Sequence, residues 1–212
     1  MKTKYSDCVF INCPFDSEYA DMFRASIFTV LDAGFIPRCS LEVANGAPRL
    51  NAIVALLKGC KYGVHDLSRV QLDSETGLPR FNMPFELGLF YAARHFGTAE
   101  QTRKLCLVFE EDRYRYQKFI SDIAGVDVTP HGGSPENVIA GLRDWLVTAS
   151  HRTTIPAGAA IKSRFLAFTS DMEQVCNEHS TDYYSMPFVE LVYNMTDWLD
   201  QNQTRHAPLF PL

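Results

Sequence analysis

The chain has 212 residues, 46% of them apolar and 21% charged, with a formal net charge of −5. This length allows one domain with an ample core, or one domain and a small appendage. The acidic balance argues against a protein that grips a nucleic-acid backbone, and no apolar run is long enough to span a bilayer.

The opening residues MKTKYSDCVFINCPF lack the long apolar stretch and small-residue cleavage site of a secretory signal. DCVFINC (7–13) is apolar, rich in β-branched and aromatic residues, and predicts a buried first strand. PFDSEY follows, where Asp16 or Ser17 can cap a helix. That helix places Met22, Phe23, Ile27, Val30 and Leu31 on one face, and Gly34 closes it. FIPRCSLE (35–42) predicts a second strand, short or at an edge because Pro37 cannot donate to a ladder. ANGAP (44–48) is a loop, RLNAIVALLKG (49–59) a helix, and CKYGVHD (60–66) the third strand. The polar stretch from Leu67 to Asn82 is long for a connection, and long loops in compact domains are often functional.

FNMPFELGLFYAARHFG (81–97) predicts an apolar helix, with Pro84 at its start and Glu86 in its first turn. KLCLVFEE (104–111) is a fourth strand, RYRYQKFISDIAG (113–125) a helix and VDVT (126–129) a brief fifth strand. In PHGGSP, Ser134 caps a helix that begins at Pro135 and runs through ENVIAGLRDWLVTAS. Five alternations of strand and helix imply an α/β fold: a five-stranded, mostly parallel, flavodoxin- or Rossmann-like sheet with helices on both faces. This unit is expected over residues 1–150. Residues 151–212 are expected to hold a linker, HRTTIPAGAA, and a helical pair near 161–179 and 185–200. The second of these sets Phe188, Leu191, Val192, Met195, Trp198 and Leu199 at helical spacing, a stripe able to pack on its own domain or to meet a protein partner.

The six cysteines (Cys8, Cys13, Cys39, Cys60, Cys106 and Cys176) form no C-x-x-C pair and no zinc spacing, so reduced thiols in a cytoplasmic protein are expected, with no metal. No G-x-S-x-G or H-E-x-x-H occurs. Ligands of open α/β sheets bind outside the carboxyl ends of the strands, where strand order reverses. In a flavodoxin-like order that crevice lies between strands one and three. It would gather Asn12, Cys13, Pro14, Phe15 and Asp16, then His65, Asp66, Leu67 and Ser68, then Glu86. Asp66 reads as a turn cap, or as a ligand to a ribose hydroxyl, a base or a metal. Glu86 reads as a helix cap, or as a buried carboxylate kept charged for chemistry. His65, one residue before Asp66, points to the other face and reads as structural. Arg38 and Arg49, flanking the loop after the second strand, are placed to meet a phosphate, but read first as solvated surface.

FINCPFD after strand one, HDLS at the end of strand three, and PFELG before an apolar helix and KLCLVF resemble the nucleoside 2-deoxyribosyltransferase-like family and the related deoxynucleotide N-glycosidases. A broader similarity extends to TIR-type NAD-cleaving domains. The resemblance covers roughly residues 7–148. It implies that Pro14 and Phe15 line a nucleoside site, with Asp16 beside them a further substrate-binding candidate, that Asp66 serves the base side, and that Glu86, with Gly88, is the nucleophile on the sugar. Transferases of this group often carry Asp six residues before the Glu; here that position is Arg80.

The expected function is therefore cleavage of an N-glycosidic bond in a nucleotide-type substrate, NAD or a nucleoside or nucleotide. The resemblance adds a setting in bacterial antiviral defence and a homo-oligomer. Glu86 would act at C1′, Asp66 would assist the leaving base, Phe15 would stack on the base, and Asn12 or Asn82 would bind ribose hydroxyls. NAD enters as a substrate, with no cofactor, membrane or nucleic acid involved. The rival reading is a nucleotide-binding sensor that uses the same crevice without turnover.

Overall fold

The computed structural model describes residues 4–43, 48–72, 77–123 and 127–202. Five strands form one all-parallel sheet: β1 (Cys8–Asn12), β2 (Ile36–Arg38), β3 (Tyr62–Asp66), β4 (Leu105–Glu110) and β5 (Val128–Pro130). Their order is β2-β1-β3-β4-β5, the flavodoxin-like arrangement. β1 pairs with β3 from Val9↔Tyr62 to Asn12↔His65, and β3 with β4 from Tyr62↔Leu105 to Asp66↔Phe109. β2, with Pro37 in its middle, stands at the edge.

Alternation along β1 divides the core in two. Val9 and Ile11 face α1 (Ala20–Asp32) and α4 (Pro135–Ser150), whereas Cys8 and Phe10 face α2 (Arg49–Lys58) and α3 (Asn82–Phe96). Gly34, at φ +76°, turns the chain out of α1 into β2. Gly63 is needed for a different reason: a Cβ there would stand 2.7 Å from both the His65 imidazole and the Phe90 ring.

α1 is buried almost all round, beyond the single apolar face expected of it. Its outer side is covered by α5 (Gly158–Glu178) and α6 (Phe188–Asn202), with Phe28 packed among Phe165, Phe168 and Trp198. The α6 stripe of Phe188, Leu191, Met195 and Leu199 is buried in the same core as α1 and α4. Among the described residues no helix is long and apolar enough to cross a membrane, and all six cysteines are free thiols.

Two expectations need correction. Of the run expected to be helical at 113–125, the described residues 113–123 form no α-helix: Tyr114 takes a left-handed conformation (φ 70°), and two short 3-10 turns follow, Arg115–Lys118 and Ser121–Ile123. Arg115 reaches inward to Glu110 while its neighbour Tyr116 is buried beside Val108, and these tertiary anchors override the helical pattern. In addition, α3 begins at Asn82, two residues before Pro84, which sits in the first turn where no intrahelical N–H is required. The tip of the 44–48 loop (44–47), residues 73–76 of the long connection and residues 124–126 lie outside the described residues.

Lys104 is fully buried just before β4. Its ammonium donates to the carbonyl of Leu57 (2.6 Å) and to that of Cys60, closing the carboxyl end of α2 beneath the Phe90 ring. Burial lowers its pKa to about 8.

Candidate functional site

Asn12, at the end of β1, joins the three segments that the strand order brings together. Its amide donates to the Met83 carbonyl of α3 (2.9 Å) and stands 3.0 Å from Nδ1 of His65 on β3. The side chain that could have met a ribose hydroxyl is committed to holding the sheet edge. His65 is buried and neutral: burial, then the charge of Lys104, lowers its pKa to about 3. Its ring packs edge-on against Phe90.

Asp66, 1% exposed, turns to the opposite face. Oδ1 accepts from the Ser68 amide (2.8 Å) and hydroxyl (2.5 Å), and Oδ2 accepts from the Tyr19 hydroxyl (2.7 Å). His131 Nε2 stands 3.0 Å from Oδ2, off the line of a good hydrogen bond. The Gly133 amide donates to the other ring nitrogen of His131, which leaves Nε2 to carry the proton facing Asp66. Burial acts to raise the Asp66 carboxyl, but His131 and Ser68 outweigh it and hold the group below its ordinary value. A protonated Asp66, able to hand a proton to a leaving base, does not fit this environment.

Glu86 is the fifth residue of α3, not part of its first turn, so neither an N3 cap nor the dipole of the first turn accounts for it. The buried stripe of the helix is Met83, Glu86, Leu87 and Phe90, and Glu86 occupies a core position within it at 7% exposure. The helix is not apolar and buried all round: Phe85 is 54% exposed and Phe81, just before it, more so. Among the described residues Glu86 has no hydrogen-bond partner. Burial raises its pKa to about 7, opposed by the charge of Arg49 at the start of α2. Arg49 otherwise approaches the Ser40 hydroxyl at 3.4 Å. Buried Cys13 senses both acids: its thiol is pushed up by burial first, then by Asp66, with Glu86 contributing further.

The remaining expected residues disperse. Pro14 is buried. Phe15, half exposed, meets the Phe23 ring edge-on at 5.2 Å. Asp16 caps the turn Ser17–Tyr19 and pairs with Arg69 (2.9 Å), which also reaches Glu18 and ties the loop after β1 to the loop after β3. Asn82 is exposed. Gly88 is exposed with open space around it, about 200° round the helix from Glu86. Sequence reasoning missed Tyr19 and His131, which complete the surroundings of Asp66, and the pair of buried Glu110 with partly exposed Arg115, whose guanidinium also meets the Ser68 carbonyl. His131 was legible only as part of a glycine-rich turn.

Among the described residues no three His, Cys, Asp or Glu side chains group as metal ligands. Comparison of the chain with protein families, curated proteins and solved structures found no match.

Proposed function

We propose that the protein cleaves the N-glycosidic bond of a nucleotide-type substrate, with Glu86 acting on C1′ of the ribose. One observation carries this reading. A carboxylate in the buried stripe of α3 has no hydrogen-bond partner among the described residues, at the sheet edge where α/β folds bind ligands. Burying such a group costs stability without structural return, and sites of that kind concentrate where chemistry is done.

The surroundings of Asp66 favour one kind of leaving group. With both oxygens engaged and the carboxyl held ionised, Asp66 is not placed to protonate a departing base. A cationic pyridinium needs no such help. When the C1′–N bond of NAD breaks, its electron pair returns to the ring nitrogen and neutral nicotinamide leaves. The ionised Glu86 attacks C1′ or stabilises its developing positive charge. Water then adds hydroxide at C1′, displacing the Glu86 carboxylate where it has bonded there, and releases one proton to solvent, so NAD and water give ADP-ribose, nicotinamide and a proton.

The test is chromatography of NAD, nucleosides and nucleoside monophosphates incubated with wild type and with Glu86→Gln. Nicotinamide release from NAD is expected in wild type, with a loss of at least about 10²-fold in the variant. Equal turnover in both would overturn the role of Glu86. Calorimetric binding of NAD with no turnover of any substrate would replace the enzyme with a sensor.

A further inference from the structure

A cleft of 590 Å³ opens between the start of α1, the turn Ser40–Glu42 and the segment that leads into α6. Neither Glu86 nor Asp66 lines it. Its volume falls within the ordinary range for small-molecule sites. Three segments distant in sequence each leave one large apolar side chain partly exposed at its lip: Phe15, Leu41 and Tyr184. Below the lip, Phe15, Phe23 and Phe188 continue ring to ring into the core, at 5.2 and 6.2 Å.

The charge around this apolar floor is one-sided. Asp16, Asp21 and Asp182 line the cleft. Asp16 is paired with Arg69. Among the described residues Asp21 and Asp182 are in no ion pair: Asp21 accepts from the Tyr184 hydroxyl (2.9 Å), and Asp182 from the Tyr184 amide and the Ser185 hydroxyl. Arg24, the one cation among the described residues of the lining, is 4% exposed. Its guanidinium lies 4.8 and 4.7 Å from the Tyr183 and Tyr184 ring centres and donates to the Tyr183 carbonyl (3.0 Å). The guanidinium is thus covered by two rings, though its charge still reaches Asp182, while two carboxylates in no ion pair among the described residues stand beside an aromatic floor.

We propose that this cleft binds a small organic cation with an aromatic or apolar body, the body against Phe15 and Phe188 and the cationic group towards Asp21 and Asp182. Partly exposed aromatic faces next to carboxylates attract such a group both through the ring quadrupole and through charge. The site is separate from Glu86 and does not depend on the reaction proposed there.

The test uses three probes of similar shape and different charge: phenethylammonium, 2-phenylethanol and phenylacetate. Each is titrated into the full chain by calorimetry, or by protein-observed NMR where binding is weak. The ammonium is expected to bind at least ten-fold more tightly than the alcohol, and phenylacetate most weakly. The double variant Asp21→Asn/Asp182→Asn should bring the ammonium to the level of the alcohol. Phe15→Ala should weaken both, and Glu86→Gln should change neither. Circular dichroism confirms that each variant is folded. Equal affinity for the three probes, a preference for the anion, no binding of any probe, or a loss shared by Glu86→Gln would overturn the proposal.

Discussion

Two carboxylates are buried near the carboxyl edge of the same sheet, and they have opposite fates. Asp66, at the end of β3, is met by Ser68, Tyr19 and His131 and is held ionised below its ordinary pKa. Glu86, in the inner stripe of α3, meets no donor among the described residues, and its pKa rises to about 7. Burial acts on both in the same direction, so the supply of donors decides the difference. Asp66 fastens the loop after β1 and the turn after β5 to the end of β3. Among the described residues Glu86 fastens nothing, and the proposed chemistry rests on that difference.

The comparison breaks most sharply if activity and stability fail to separate. Glu86→Gln should lose at least about 10²-fold in NAD cleavage while leaving the fold intact. Asp66→Ala should instead cost about 3–5 kcal/mol, because it strips a buried charged group from its partners. In a chain of this size that lowers Tm by roughly 10 °C in a thermal melt. Tyr19→Phe removes one donor from Asp66, a loss of about 1.5–3 kcal/mol by denaturant titration.

Titration sharpens the same contrast. In the reaction proposed, Glu86 works as its carboxylate, so the cleavage rate should climb as pH rises through about 7, read from an initial-rate profile. Its raised pKa also means that the folded state favours the proton. The contribution of Glu86 to stability is therefore fullest below the ordinary glutamate value of 4.5 and is lost as pH rises through about 7. Glu86→Gln should be more stable than wild type above that pH, by on the order of 1 kcal/mol. Asp66 carries the opposite sign: its contribution is present above the ordinary aspartate value and lost as pH falls through its depressed folded value. The smallest effect belongs to Gly88→Ala. On an exposed helix face it should stabilise by up to about 1 kcal/mol, and cleavage kinetics should be unchanged if substrate stays on the Glu86 side.

The sheet was legible because each strand is a short apolar run punctuated by Gly, Pro or polar clusters, and the alternation with helices allows few topologies. The orientation of Glu86 was harder to read. Proline favours the first helical position, so Pro84 pointed to a start two residues too late, and two residues of helix turn a side chain by about 200°. The surroundings of Asp66 were not legible either, since Tyr19 and His131 come from other elements and only the fold brings them to it. The run RYRYQK misled because its pattern suits a helix, while Arg115 and Tyr116 are drawn into separate buried contacts.

Past its first turn α1 has almost no wet side: the sheet lies on one flank, and α5 and α6 cover the other. The last two helices are therefore not removable. A shortened chain ending at residue 150 would present Phe28 and its neighbours to water as an adhesive surface. Such a fragment should be recovered from the insoluble fraction, while the full chain stays in solution. Anyone trimming this protein to its α/β sheet for crystallisation or assay would discard the cover that keeps the sheet's first helix in place.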